Sequence, residues 1–275
     1  MKFIVLTIFP DMFNPLWEYG IVKRAIDQNK ISAATVNIRD FAKGRHRVTD
    51  DRPYGGGSGM VMKPEPVAAA IRSAKKSALA SKTILLTPQG RRLDQSMARG
   101  LVSLPGLILV CGRYEGVDER ICQELIDYEI SIGDYVLTGG ELAAMVIIDA
   151  VTRLIPGVLG GADSAEKYSF SGSLLEHAHY TRPQTYEETE VPEVLMSGNH
   201  KEIEKWRLES SLIRTFLKRQ DLLQNRPLDR QEIEILKKWC LDIERIIHAQ
   251  PLRGAGALSG GQQAGRHNNG RHNEP

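Results

Sequence analysis

The residues whose types and spacing could do chemistry crowd into Leu107–Glu141, LILVCGRYEGVDERICQELIDYEISIGDYVLTGGE. Its first residues, Leu107–Cys111, form an apolar run short and β-prone enough for a buried strand. Gly112-Arg113-Tyr114-Glu115-Gly116 follows, two glycines around three polar side chains. A second strand, Ile130-Ser131-Ile132, is broken by Gly133-Asp134-Tyr135-Val136-Leu137 and the pair Gly139-Gly140. A third exit, Pro88-Gln89-Gly90, ends the strand Thr83–Thr87. Glycines directly after strands let backbone N–H and C=O groups come close to a ligand. In open α/β sheets, ligands sit beyond the carboxyl ends of the strands. The spacing therefore predicts one shared pocket that reads its ligand with backbone groups. A phosphate cradle is disfavoured: the loop Tyr54–Gly59 lacks the glycine–lysine–serine/threonine run, and the chain has no GxGxxG.

The elements that must position these loops alternate. Phe3–Phe9 reads as a strand, Ile21–Asn29 as a helix and Ala33–Ile38 as a strand. Pro64–Leu79, Leu93–Leu101 and Val117–Leu125 read as helices, and Glu141–Leu154 as a long apolar helix burying Met145, Ile147 and Ile148. That rhythm predicts an α/β domain. Asp40–Lys63 interrupts it with a long polar loop, the kind that is usually functional. From Pro156 to about Ser173 the chain turns rich in Gly, Ser and Ala, which predicts a linker. Beyond it the pattern is helical. Asn199/Glu202 and Asp229/Glu232 have capping-box spacing. Ile203, Trp206, Ile213, Phe216 and Leu217, then Ile233, Leu236, Cys240, Ile243 and Ile247, read as apolar core stripes. Lys201, Lys205, Arg207, Arg214, Lys218 and Arg219 crowd the first of these helices, a surface suited to phosphates.

The 275 residues are 41% hydrophobic, enough for one large or two modest domains. A formal net charge of +2 excludes a global polycation, so any nucleic-acid surface is local. Cys111, Cys122 and Cys240 form no C-x-x-C pair and read as buried thiols of a reducing cytoplasm. No apolar run approaches a membrane span. The opening MKFIVLTIFP lacks a small-residue cleavage site and reads as a first strand. From about Gly254 the tail is too polar to bury a core, and its His267 and His272 do not read as a metal site.

DDRPYGGGSGM, GRYEGVDER, SIGDYVLTGGE, RLIPGVLG, HYTRP and LMSGNHKEIEKWR occur in this order within roughly residues 1–250. Together they resemble the bacterial tRNA (guanine-N1)-methyltransferases of the knotted methyltransferase superfamily. The resemblance implies an α/β fold: a parallel-sheet domain with a deep trefoil knot over 1–155, a flexible linker over 156–173, a small helical tRNA-binding domain over 174–253 and a disordered tail over 254–275. It implies S-adenosylmethionine as methyl donor, held by Leu86, Thr87, Pro88, Gly112, Tyr114, Gly116, Ser131, Ile132, Gly133, Asp134, Tyr135, Val136, Leu137, Gly139 and Gly140. It assigns RNA contacts to Asp50, Arg52, Tyr54, His179, Arg182, Lys205 and Arg214. It also implies a cytoplasmic homodimer with a composite site, the donor pocket coming from one subunit and the linker and helical domain from the other.

In that family the acceptor is N1 of the guanosine immediately 3′ of the anticodon. Guanine N1 carries a proton at neutral pH, so its methylation needs a base, a donor held in line, and positive charge near O6. By resemblance Arg153 supports O6. The family's base is an aspartate before serine-phenylalanine; here that position is Tyr168, ahead of Ser169-Phe170. An unperturbed tyrosine, with a pKa of about 10, is a poor base at pH 7. Three assignments remain open: Glu166 or Asp163 from the linker; Glu115, alone or with a magnesium ion of the kind the family needs; or Tyr168 ionised beside Arg153. A carboxylate is favoured, and Glu115 ahead of Glu166. The Tyr168 departure also leaves two other readings: a relative acting on another RNA, or one that binds without catalysing.

Overall fold

The computed structural model describes residues 1–160, 170 and 174–249. The base candidates Asp163, Glu166 and Tyr168 lie outside the described residues, as does the tail from Gly254. The chain forms two compact units, Met1–Glu176 and His177–Pro275.

The first unit is built on five parallel strands: β1 (Lys2–Thr7), β2 (Ser32–Asn37), β5 (Lys82–Arg92), β6 (Gly106–Cys111) and β7 (Tyr128–Ser131), in the order β2-β1-β6-β5-β7. Two short strands, β3 (Asp50–Asp51) and β4 (Val61–Met62), pair antiparallel within the polar loop. β6 is buried along its whole length, as a parallel strand covered on both faces requires, which is why Leu107–Cys111 reads as an unbroken apolar run. One cluster, including Phe3, Leu107, Ile147, Ile148 and Val151, is contributed by α2 (Gly20–Asp27), α4 (Gln95–Val102), α6 (Glu141–Thr152) and one face of the sheet. The other, including Leu6, Ile71 and Ile108, comes from α3 (Pro64–Ser77), α5 (Glu119–Leu125) and the opposite face. α1 (Asn14–Glu18) follows a 3-10 turn at Pro10–Phe13.

Three expectations are revised. Pro88-Gln89-Gly90 does not end its strand: β5 runs on to Arg92, and its pairing with β7 slips so that Leu86 and Arg91 both face Ile130. Residues 87–90 are thus a bulge, and a Cβ on Gly90 would collide with the Glu129–Ile130 backbone. On α6, Ile147 and Ile148 are fully buried as expected but Met145 is half-buried, and Leu142 and Val146 are exposed. The start of the expected linker is anchored, because Val158 is 0% exposed in the first apolar cluster.

The second unit contains the hairpin β8 (Thr185–Tyr186) and β9 (Thr189–Glu190), then α7 (His200–Lys218), α8 (Gln220–Gln224) and α9 (Arg230–Ala249). Both capping motifs form: Asn199 Oδ1 accepts from Glu202 N at 3.4 Å, while Asp229 and Glu232 accept reciprocally from each other's amides at 2.9 and 2.8 Å. The apolar stripes are displaced. Ile203, Leu212 and Ile235 are buried, whereas Ile213, Phe216, Leu217, Ile233, Ile243 and Ile247 are exposed. Cys240 is exposed rather than buried; Cys111 is buried and Cys122 half-buried. Among the described residues, no helix is long and apolar enough to cross a membrane.

Candidate functional site

Beyond the carboxyl ends of β5, β6 and β7, three segments enclose a cavity of about 250 Å³: Leu85–Gln89, Gly112–Val117 and the return segment from Ile130 to Ala143. The return segment is bound back onto the β6 exit. Gly140 N donates to Gly112 O at 2.9 Å, and Arg113 and Gly139 form an antiparallel bridge. Gly140 has to be glycine, because a Cβ would sit 2.8 Å from Cys111 Cα and 3.0 Å from Leu86 Cβ. The β6 exit turns sharply: Gly116 N donates to Arg113 O at 3.0 Å, and Tyr114 holds a left-handed φ of 59°. A bulky non-glycine residue in that region is uncommon, and such strain clusters at ligand sites. In the return segment, Ser131 Oγ spans Gly133, and Tyr135 Oη donates to Ile132 O at 3.2 Å.

The polar loop joins this site through its backbone. Glu115 N donates to Met60 O, Met62 N to Gly116 O and Asp118 N to Met62 O, at 3.0, 2.9 and 3.1 Å. The Glu115 side chain lies where a Cβ on Gly59 would be. Thus β4 and the GRYEG loop are tied into one ribbon, with Tyr54 fully exposed at its free end. At the base of this ribbon, Asp118 caps α5 by accepting from Arg120 N at 3.0 Å, and the Arg120 guanidinium holds its carboxyl below the usual range. Burial, reinforced by the Glu141 carboxylate, pushes the Cys111 thiol well up, so it stays protonated.

Of the expected donor residues, all but Asp134 line the cavity; Asp134 is exposed and 3.7 Å from Arg92. Glu115 is the one carboxylate lining it among the described residues. Arg153 is not there. It caps the C-terminal end of α6, whose N-terminal end is at Gly140, so about 20 Å of helix separates the two at 1.5 Å per residue. Asp50 pairs with Met62, and Arg52 is exposed beside it. In the second unit His179, Arg182 and Lys205 are exposed, and Arg214 is half-buried. Lys205 and Arg214 are nine positions apart, which places them on opposite sides of α7, so the basic residues do not share one face. His177, missed as a candidate, stacks 4.4 Å from His179, and Trp206 lies against both His177 and Tyr180. Also missed was the ion pair of Glu141, which is buried, with Arg113, which itself lines the cavity.

The lining suits a ligand with a flat neutral ring: Leu86, Ile132, Leu137 and Ala143 are apolar, and Arg113 and Glu115 are the charged groups among the described residues that line it. It does not suit a protein-held metal. Among the described residues no three His, Cys, Asp or Glu side chains converge, and Glu115 is the sole carboxylate at the cavity.

A family model described as tRNA (Guanine-1)-methyltransferase TrmD matches residues 1–225. The tRNA (guanine-N(1)-)-methyltransferase of Desulfatibacillum aliphaticivorans is 54% identical over 259 residues, 94% of this chain and 99% of the relative. The enzyme of that name from Hahella chejuensis is 54% identical, covering 86% of this chain and 92% of its own. That from Carboxydothermus hydrogenoformans is 51% identical, covering 92% and 99%. With a match spanning the sheet, the strand-exit pocket and most of the helical unit, the chain belongs to the tRNA (guanine-N1)-methyltransferase family.

Proposed function

We propose that this protein transfers a methyl group from S-adenosylmethionine to N1 of the guanosine immediately 3′ of the anticodon in tRNA. The observation that carries this reading is the convergence of three strand-exit segments on a cavity where, among the described residues, Glu115 is the one carboxylate, in a chain of this family. When bound, S-adenosylmethionine supplies an electrophilic methyl group on a sulfonium. Backbone groups at Leu86–Pro88, Gly112, Ser131–Leu137 and Gly139-Gly140 hold it, with Leu86, Ile132 and Leu137 excluding water around it. Glu115 accepts the N1 proton, an arrangement favoured by its place at the cavity edge on the ribbon that bears Asp50, Arg52 and Tyr54. Positive charge at O6 comes from Arg153 of a second subunit, because α6 carries this subunit's own Arg153 away from its cavity.

A homodimer is supported by exposed apolar groups of the sheet unit: Phe9 and Met12, both against Arg113, and Leu142 and Val146, one turn apart on α6. A trefoil knot is supported by the return segment crossing the β5 and β6 exits before α6 packs behind them. The helical unit supplies tRNA contacts through His179, Arg182, Lys205 and Arg214. The setting is the cytoplasm, where the substrate is.

Single-turnover methylation of tRNA transcripts, with and without guanosine at that position, tests the proposal. Glu115→Gln is expected to lower the rate by about 10²–10⁴-fold while donor binding survives. Donor binding with no methyl transfer by the unmodified protein would sink the catalytic reading and favour a binding relative, to which Tyr168 in place of the family's aspartate points. Undiminished transfer by Glu115→Gln would remove Glu115 as the base.

A further inference from the structure

In the cavity wall lies an ionic group to which the proposed reaction gives no task. Glu141, the first residue of α6, is 1% exposed, and buried carboxylates persist when they are paired. Its Oε1 accepts from Thr7 Oγ1 at 2.7 Å, at the end of β1. Its Oε2 lies 2.9 Å from Arg113 Nη2, held there by charge rather than by an aligned hydrogen bond. Arg113 directs its other contacts to two further segments. Nη1 donates to Thr138 O at 3.2 Å in the return segment. The guanidinium sits 4.5 Å from the centre of the Phe9 ring, and Nη2 is 3.7 Å from Met12 Sδ. Gly139 completes the arrangement, since a Cβ there would strike Arg113 Nε and Cδ. One guanidinium therefore ties together the exits of β1 and β6 and the return segment, and the last two are cavity walls.

We propose that the Arg113–Glu141 pair, steadied by Thr7, is a positioning device that holds Thr138–Gly140 at the separation from the GRYEG loop that donor binding requires. Packing alone does not need it, because apolar residues of similar volume in place of a buried pair are often as stable or more so. What a charge pair adds is direction: the rigid guanidinium fork is aimed at once at a carboxylate and at the Thr138 carbonyl. The inference rests on the cavity being the S-adenosylmethionine site.

The test uses the full chain, with S-adenosylmethionine titrated by calorimetry and stability followed by thermal melting. Arg113→Met is expected to melt lowest, because it leaves Glu141 buried and unpaired. Arg113→Met with Glu141→Gln removes both charges and is expected to recover most of the lost melting temperature. It should still bind the donor about tenfold more weakly, as groups that orient a binding wall do. Recovery of both stability and unmodified affinity would overturn the proposal and leave the pair a packing element. Glu141→Gln alone keeps the side chain's shape and the Thr7 contact, and decides the matter if the double variant does not fold: donor affinity equal to that of the unmodified protein would overturn the proposal. Absence of donor binding by the unmodified protein would instead remove the assignment of the cavity, and the inference with it.

Discussion

In the sheet unit, β6 is buried from end to end and both faces of the sheet are covered by apolar clusters. In the helical unit, α7 buries Ile203, Leu212 and Thr215 while Ile213, Phe216 and Leu217 face outward. Charges are used differently too. The sheet unit places Arg113–Glu141 in its interior, where a pair fixes geometry. α7 and its neighbours carry pairs such as Arg207–Glu204 and Arg219–Asp221 at the surface, where water and salt screen them. The contrast fits the division of work proposed above. A methyl donor has to be held to within fractions of an ångström, whereas a polyanion is gathered by charges that tolerate adjustment.

The helical unit has one exception, and it gives the sharpest way to break the comparison. Arg226 meets Glu232 in a two-pronged pair, 2.7 and 3.0 Å, with Glu232 5% exposed. Arg226→Ala strands that carboxylate, and breaking such a pair costs about 3–5 kcal/mol. Unfolding followed by calorimetry should show a weakened helical transition with donor binding intact; equal loss of donor binding would mean the two units do not divide the work as described. Next in size is Gly140→Ala, expected to cost about 1–3 kcal/mol, as overpacking does, and to weaken donor binding in step. An unchanged melting temperature would show that the Cys111–Leu86 wall yields.

Asp127 offers a smaller effect, read by pH. Burial opposes its ionisation, but the Thr83 amide, Lys82 and Lys75 outweigh it and hold its carboxyl below the usual value. A carboxyl depressed in the folded state contributes stability above its unfolded pKa of about 3.9 and loses it as pH falls through the folded value. Melting temperatures of the unmodified protein and Asp127→Asn should therefore differ near neutrality and converge at strongly acid pH; parallel curves would exclude the linkage. The smallest effect belongs to α7. Lys205→Ala should lower tRNA affinity and reduce the magnitude of its logarithmic salt slope by roughly one unit, with little change in turnover at saturating tRNA. Because Arg214 lies on the opposite side of the helix, the same result from Arg214→Ala would mean that RNA surrounds α7 rather than meeting one face.

Much of the sheet unit was legible in the chain, because parallel strands covered on both faces write themselves as apolar runs and their exits as glycines. Leu107–Cys111, Gly112, Gly116 and Gly139-Gly140 are such cases. What escaped depends on partners that periodicity does not name. Glu141 reads as an ordinary acid in the first turn of a helix, welcome there for the macrodipole; only the fold brings Thr7 and Arg113 to it. The continuation of β5 past Gly90 escaped because proline and glycine usually end a strand, and here β7 supplies a second register. In the helical unit, α7 and α9 were found by their caps, but the face each buries was not. Spacing picked out Ile203, but apolar residues there exceed what these helices can cover, so it did not pick out Leu212 and Ile235.

The backbone lining of the strand-exit cavity has a consequence for inhibition. A compound that binds the amides and carbonyls at Gly112, Ile132 and Leu137 grips atoms that every residue type but proline retains, so most side-chain substitutions there leave its contacts in place. Where a new side chain would intrude, at Gly139 or Gly140, it meets Arg113, Cys111 and Leu86 before it meets the compound. Resistance by single substitution inside this cavity would come at the expense of the wall that the protein itself uses.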